Sequence, residues 1–202
     1  MIDDVLLGYA ASAAELIARY ESISAEQLYA PVADLLPQPP SRIADIGAGT
    51  GRDAAWLADK GHHVVAIEPV AEFRRAGMLL HASPSLEWLD DRLPELRGLR
   101  ALKTGIDCML LSAVWQHLDD QQRRAALHTI AILTAPGARV IMSLRHGAGA
   151  PGRIIIEAPP ERTIADAASA GFELMRRRET QSAQPINRQS GVHWTWLVFQ
   201  HR

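Results

Sequence analysis

From residue 42 onward, short apolar runs rich in β-branched residues alternate with longer stretches of helical periodicity. That is the pattern of a parallel sheet covered by helices on both faces. Runs at 42–46, 64–67, 86–89, 106–111, 139–144, 172–177 and 193–200 read as seven strands, and helical patterns fall at 52–60, 70–81, 120–133 and 161–170. Gly61, the tripeptide Ala135-Pro136-Gly137, and Gly171 each stop a helix just before a strand. The last two strands are joined by a polar segment with Pro185 and Gly191 and no helical pattern, which predicts an antiparallel hairpin at the sheet edge.

Upstream, residues 9–36 read as two helices, the second opening on Ser24-Ala25-Glu26-Gln27 as a capping box, with Leu28, Val32 and Leu35 on one face. Gln38-Pro39-Pro40 is too short a linker to set this layer apart as a domain. The expected fold is a three-layer α/β/α sandwich with a mostly parallel seven-stranded sheet, its last strand antiparallel, plus an N-terminal helical cap. One domain covers residues 1–202: cap 1–40, core 41–146, and C-terminal strands and helix 147–202. A chain of 202 residues, 48% hydrophobic and 22% charged, has the material for a single core.

Charge adds a regional asymmetry. The net charge of -2 gives no general attraction to nucleic acid or to an anionic membrane. Residues 1–136 carry 12 Lys/Arg against 18 Asp/Glu, whereas residues 137–202 carry 9 against 5, so the C-terminal third is locally basic. Arg176, Arg177 and Arg178 read as charge on an edge strand, where it discourages edge pairing. Cys108 stands alone in an apolar run, which rules out an intramolecular disulfide and suits a core thiol. No run reaches about 18 apolar residues and the chain starts acidic, so a cytoplasmic location without membrane insertion is expected.

The chemistry concentrates where the first strand ends. Asp45-Ile46 runs into Gly47-Ala48-Gly49-Thr50-Gly51 and then a helix, so a glycine loop sits at a strand-to-helix turn. There glycine admits positive φ and close backbone approach, and the N–H groups of the helix start favour negative charge. A dinucleotide loop needs glycine or alanine at its sixth position, where this chain has Arg52, which disfavours a nicotinamide oxidoreductase. Glu68 follows the second strand, beside Pro69, placed for a carboxylate to meet both hydroxyls of a ribose. His62-His63 is a weak metal signal, because adjacent strand residues face opposite ways; surface placement is expected and no metal site.

An acid two places before G-x-G-x-G resembles motif I of the class I S-adenosylmethionine-dependent methyltransferases, and the likeness runs motif by motif over about residues 41–146. The resemblance implies S-adenosylmethionine as cofactor. Gly47, Ala48, Gly49 and Gly51 would lie against its amino-acid part, with Asp45 orienting the loop and the cofactor's amino group, or bracing the turn alone. It gives Glu68 the ribose, Asp90 or Asp91 the adenine with Asp90 slightly preferred, and Ser112 a backbone contact with the methionine portion. It also implies in-line methyl transfer to an acceptor, a small molecule in preference to a nucleic acid or peptide. Trp115 and His117 follow the fourth strand, Arg145 and His146 the fifth, and Tyr20 lies in the cap. His117, Arg145, His146 and Tyr20 are the candidates for the acceptor side. A non-catalytic cofactor-binding subunit supporting a partner is the alternative.

Overall fold

The structure, a computed structural model, describes residues 2–149 and 153–202. Three helices, α1 (Ile2–Ala11), α2 (Ala13–Glu21) and α3 (Ala25–Tyr29), and a 3-10 turn at Ala30–Leu35 precede the sheet. The expected pair of helices is thus three and a tighter turn. Ser24 caps α3 as anticipated, its Oγ accepting from Gln27 N at 3.2 Å. Helix α3 ends after five residues because Pro31 follows at the start of the 3-10 turn.

The remaining order is β1 (Arg42–Ile46), α4 (Arg52–Asp59), β2 (His63–Ile67), α5 (Ala71–Leu80), β3 (Leu86–Leu89), α6 (Arg97–Ala101) and β4 (Ile106–Ser112). After a 3-10 turn at Trp115–His117 come α7 (Asp120–Leu133), β5 (Thr134–His146), α8 (Pro160–Ser169), β6 (Phe172–Gln181), α9 (Pro185–Gln189) and β7 (His193–His201). The seven strands lie in the order β3-β2-β1-β4-β5-β7-β6, with β7 antiparallel to both neighbours. The β6–β7 connection holds the short α9 where no helix was expected. Pro185 at its first position supplies the helical φ without needing a donor.

Both sheet faces are covered. Ala44, Ile46, Met109, Leu111, Val140 and Met142 pack with residues of α7 and α8 on one face. Ile43, Val64, Ala66, Cys108, Ile141 and Val198 pack with Tyr29, Val32, Ala54 and Leu57 on the other. Strands buried on both sides explain the apolar runs Val64–Ile67 in β2 and Cys108–Leu111 in β4. Helices α1 and α2 lie over α5 through Ala13, Leu16, Val70 and Phe73. His63 is exposed but His62 is buried, so the expectation of surface placement fails for His62, whose pKa burial depresses. No helix among the described residues is long and apolar enough to cross a membrane.

Candidate functional site

One cavity of about 510 Å³ opens where the parallel strands end, under the N-terminal helices. Its wall follows sheet order: Asp91–Leu93 beyond β3, Glu68–Val70 beyond β2, the glycine loop beyond β1, Ser112–Val114 beyond β4, Ser143 on β5, Trp194 and Trp196 on β7, and Arg178 and Thr180 on β6. Tyr9 and Tyr20 reach it from the cap, Gln27 and Leu28 from α3. This is the carboxyl-end crevice of an open α/β sheet, on the side where ligands of such folds bind.

The glycine loop is held from below. Gly47 N and Ala48 N both donate to Ile67 O, at 2.7 and 3.0 Å, and Gly51 N donates to Ala48 O at 2.9 Å. Gly49 N donates to Glu68 Oε2 at 2.8 Å. These amides are committed within the protein, so the loop offers a ligand its cleared surface and not those donors. Gly49 has φ +58°, and a Cβ there would stand 3.5 Å from the Tyr20 ring, inside the cavity. Gly51 is required for another reason: its Cβ would come within 2.6 Å of Trp88, whose ring fills the gap above the turn.

Glu68 does more than the spacing suggested. Its second oxygen accepts from Val70 N at 2.8 Å, so one buried carboxylate ties the β1 loop to the start of α5. Burial raises its pKa to about 7, against the opposing pull of those two N–H groups. Asp45 is 3% exposed, lines the cavity and receives no hydrogen bond from any described residue. Burial, with neighbouring Asp53 adding to it, holds its carboxyl well above the usual range. Asp53 itself is satisfied, accepting from Tyr29 Oη at 3.2 Å and pairing with Arg52 at 2.6 Å. Arg52 also donates to Tyr20 O at 2.9 Å. The side chain that breaks the dinucleotide pattern thus fastens the cap to the loop.

At β3 the two acids part. Asp90 is largely exposed and pairs with Arg74 at 2.7 Å, outside the cavity. Asp91 lines the cavity, and its Oδ2 accepts from Leu99 N at 3.0 Å in the first turn of α6. Of the two acids, the slightly preferred Asp90 lies off the cavity wall and Asp91 on it.

Beyond β4, Ala113 adopts φ 59°, a left-handed conformation costing about 1–2 kcal/mol for a residue with a Cβ. Two bonds hold it: Ala113 N to Ser143 Oγ at 2.9 Å and Gln116 Nε2 to Ala113 O at 2.6 Å. The turn leaves Ser112 and Val114 on the cavity wall and sends Trp115 fully into the core. His117 lines the cavity. Its Nδ1 lies 3.0 Å from Ile154 O, which can accept only, so Nδ1 carries the proton and Nε2 accepts from Tyr9 Oη at 2.9 Å. Burial lowers the His117 pKa, and Arg153 and Arg145 lower it further, against the raising pull of the Ile154 carbonyl. Buried Arg123 clasps the segment that carries Ile154, donating to Ile156 O and Glu157 O, each at 2.8 Å.

Of the remaining acceptor-side candidates, Tyr20 lines the cavity, whereas Arg145 and His146 do not. Arg145 turns to Gly147 O at 3.1 Å, and His146 bonds Thr195 Oγ1 at 2.8 Å and stacks on His193. Tyr9, Arg178, Trp194 and Trp196 were missed. The alternation of Trp194 and Trp196 on one strand face was the available signal.

These features define a class I methyltransferase fold with its cofactor crevice. The methyltransferase domain family matches residues 19–202, and the chain belongs to that family. Helix α1 lies before the matched residues. An uncharacterized methyltransferase of Mycobacterium tuberculosis is 29% identical over 106 residues, 52% of this chain and 40% of that protein. The chain therefore spans less than half the length of the curated relatives it matches. Among solved structures, the 1,6-didemethyltoxoflavin-N1-methyltransferase of Burkholderia thailandensis, holding 1,6-didemethyltoxoflavin and S-adenosylhomocysteine, has a TM-score of 0.76 at 16% identity, covering 98% of this chain and 88% of that one. A TehB-like S-adenosylmethionine-dependent methyltransferase of Corynebacterium glutamicum gives 0.66 at 20% identity, covering 95% and 99%.

Proposed function

We propose that this protein binds S-adenosylmethionine and transfers its methyl group to a small-molecule acceptor. The observation that carries the reading is Asp45: a buried carboxylate facing the cavity with no donor from the described protein, waiting for a cationic ligand group such as an amino-acid ammonium. The cavity-lining Gly47, Ala48 and Gly49 lie beside it, with the open space over Gly49. Glu68 keeps a lone pair on each oxygen for ribose hydroxyls, with Pro69 alongside, and Asp91 takes the adenine end. Ser112 meets the methionine portion at the β4 end. These residues fit the cofactor.

When bound, the cofactor supplies an electrophilic methyl group on a sulfonium, which leaves the protein the tasks of aligning the acceptor and taking its proton. His117 suits the second task. It is neutral at physiological pH because its pKa is lowered, and the hydroxyl of Tyr9, which also lines the cavity and bonds His117 Nε2, can serve as a relay. Tyr20 closes the cavity over Gly49.

A second reading, a cofactor-holding fold put to another use or a non-catalytic subunit, has one observation on its side. The cyclase SpnF shares the fold, with a TM-score of 0.65 at 14% identity over 87% of this chain and 81% of that one. Calorimetry with S-adenosylmethionine, S-adenosylhomocysteine and NAD tests the cofactor: the first two bind, and NAD binding as tight as theirs overturns the assignment. Accumulation of S-adenosylhomocysteine with an acceptor library separates methyl transfer from the second reading.

A further inference from the structure

The cavity is longer than the cofactor motifs account for. Those motifs occupy the half beyond β3, β2, β1 and β4, while the half beyond β5, β7 and β6 is walled by residues none of them explains. In the antiparallel register Trp196 stands opposite Arg178, and Trp194 opposite Thr180. Directly opposed residues share a face with Cβ atoms about 5 Å apart, so the two indoles, the guanidinium and the hydroxyl form one patch.

Three observations define what that patch meets. Trp196 is 2% exposed and packed by Tyr29, with ring centroids 5.3 Å apart, so it forms the fixed base of the wall, and half-buried Trp194 beside it is the indole with open surface. The three consecutive arginines are used differently: Arg176 pairs with Asp34 and Arg177 with Glu161 and Glu179, whereas Arg178 has no hydrogen-bond or ion-pair partner among the described residues and lines the cavity. Among the described residues that β5, β7, β6 and α3 contribute to the wall of this half, Arg178 is the one charged side chain, the other polar groups being the hydroxyls of Ser143 and Thr180 and the amides of Gln27, Gln181 and Gln184. The Arg176–Asp34 pair, with Arg139 bonded to Leu35 O, fastens the 3-10 turn to the sheet, so the compartment is formed before any ligand enters.

We propose that this half is the acceptor compartment and that it takes a flat aromatic or heteroaromatic molecule carrying an anionic group, the ring lying against Trp194 and Trp196 and the anion meeting Arg178. The proposal rests on the methyl-transfer reading for the word acceptor, but the binding site stands on its own geometry. A flat ring gains apolar contact and stacking from the indoles. An anion gains a charge-assisted, bidentate partner from a guanidinium that has no other commitment.

Calorimetry on the full chain preloaded with S-adenosylhomocysteine tests it, using naphthoate, naphthyl phosphate, naphthamide and cyclohexanecarboxylate as probes. Naphthoate or naphthyl phosphate binds at least about tenfold tighter than naphthamide and cyclohexanecarboxylate, and which of the two anions wins tells carboxylate from phosphate. Arg178→Gln removes that advantage of the anions while leaving naphthamide and S-adenosylhomocysteine binding unchanged. Trp194→Leu weakens all three aromatic probes together. Anionic probes that bind no tighter than naphthamide, that bind equally to Arg178→Gln, or that fail to bind at all overturn the proposal. Failure of S-adenosylhomocysteine itself to bind is the distinct result that overturns the cofactor reading.

Discussion

The two halves of the cavity are built on different principles. The half beyond β3 to β4 is made of short sequence segments, each following its own strand, and its key contacts run from side chain to backbone: Glu68 to Gly49 and Val70, Asp91 to Leu99. The half beyond β5 to β6 is made of side chains from α3, β6 and β7, more than 140 residues apart, brought together by strand register and by the Arg176–Asp34 pair. A cofactor shared by a whole family needs a fixed backbone cradle. An acceptor that differs among relatives needs a wall of exchangeable side chains. The halves should therefore respond separately to mutation, the first through cofactor affinity and the second through acceptor kinetics.

The largest effect is expected at Gly49. Valine there must adopt φ near +58° and place its methyl groups toward Tyr20 in the cofactor's path. Gly49→Val should abolish cofactor binding, a loss of more than about 3 kcal/mol by calorimetry. A cooperative melt should persist, since the side chain points into the cavity. Wild-type affinity would break the claim that this half is a backbone cradle.

Next comes Glu68. Removing the carboxylate takes away the proposed ribose acceptor and frees Gly49 N and Val70 N together, so Glu68→Ala should weaken cofactor binding by about 1–3 kcal/mol and also lower the melting temperature. A pH signature goes with it. Hydroxyl donors and a cationic ligand favour the ionised form of an acid whose pKa lies near 7, so binding releases protons and affinity rises with pH through that value. Glu68→Gln should flatten the rise, measured by titration in buffers of different ionisation enthalpy. Without ligand the sign is opposite: the folded state holds a proton that the unfolded chain has lost between 4.5 and about 7, so Glu68 makes stability fall as pH climbs through that window.

A smaller effect, confined to turnover, is expected from His117→Ala. Loss of a positioned base lowers kcat by about a hundredfold, the low end for such groups, with cofactor affinity unchanged. The acidic limb of the kcat profile, where protonation removes the base, should lie below the usual histidine range, because burial lowers the His117 pKa. An equal loss of cofactor affinity would show that the halves are not separable at the β4 turn.

How far the sequence was legible divides along the same line. Strand β1 and the start of α4 fall where the pattern put them, because a buried strand and a glycine turn are local features. Glu68 was found from its spacing, but its grip on Gly49 N was not, since the contact depends on β1 and β2 lying parallel in register. In the other half, Arg145 and His146 were chosen for nearness to a strand end, yet β5 continues through both, paired with β7, and their side chains go to Gly147 O and Thr195 Oγ1. The arginine run was read as uniform edge charge. Period-two alternation splits it: Arg176 faces the 3-10 turn at Asp34 and Arg178 the cavity, while Arg177 faces α8. What each meets there is set by the pairing of β6 with β7, which no local pattern encodes.

The smallest predicted effect is the most discriminating, because it sets neighbouring acids of identical chemistry against each other. Asp90 holds an exposed pair with Arg74 outside the cavity, the kind of contact worth about 0–1 kcal/mol, so Asp90→Ala should leave cofactor affinity within about 0.5 kcal/mol of wild type. Asp91 stands on the wall. Its Oδ2 caps α6 at Leu99 N, and its Oδ1 accepts from Arg92 N at 2.9 Å, so the carboxylate shapes the backbone at the proposed adenine end as well as lining the cavity. Asp91→Ala should cost about 1 kcal/mol of cofactor affinity and a similar amount of stability through the lost cap. Asp91→Asn keeps an oxygen acceptor for one N–H, so it should recover most of the stability but not the selectivity for adenosine over inosine nucleosides, an exocyclic-amine distinction readable by competition with S-inosylhomocysteine. If Asp90→Ala weakens binding more than Asp91→Ala, the adenine end lies on the outer side of β3, and the cavity wall beyond β3 serves the acceptor instead.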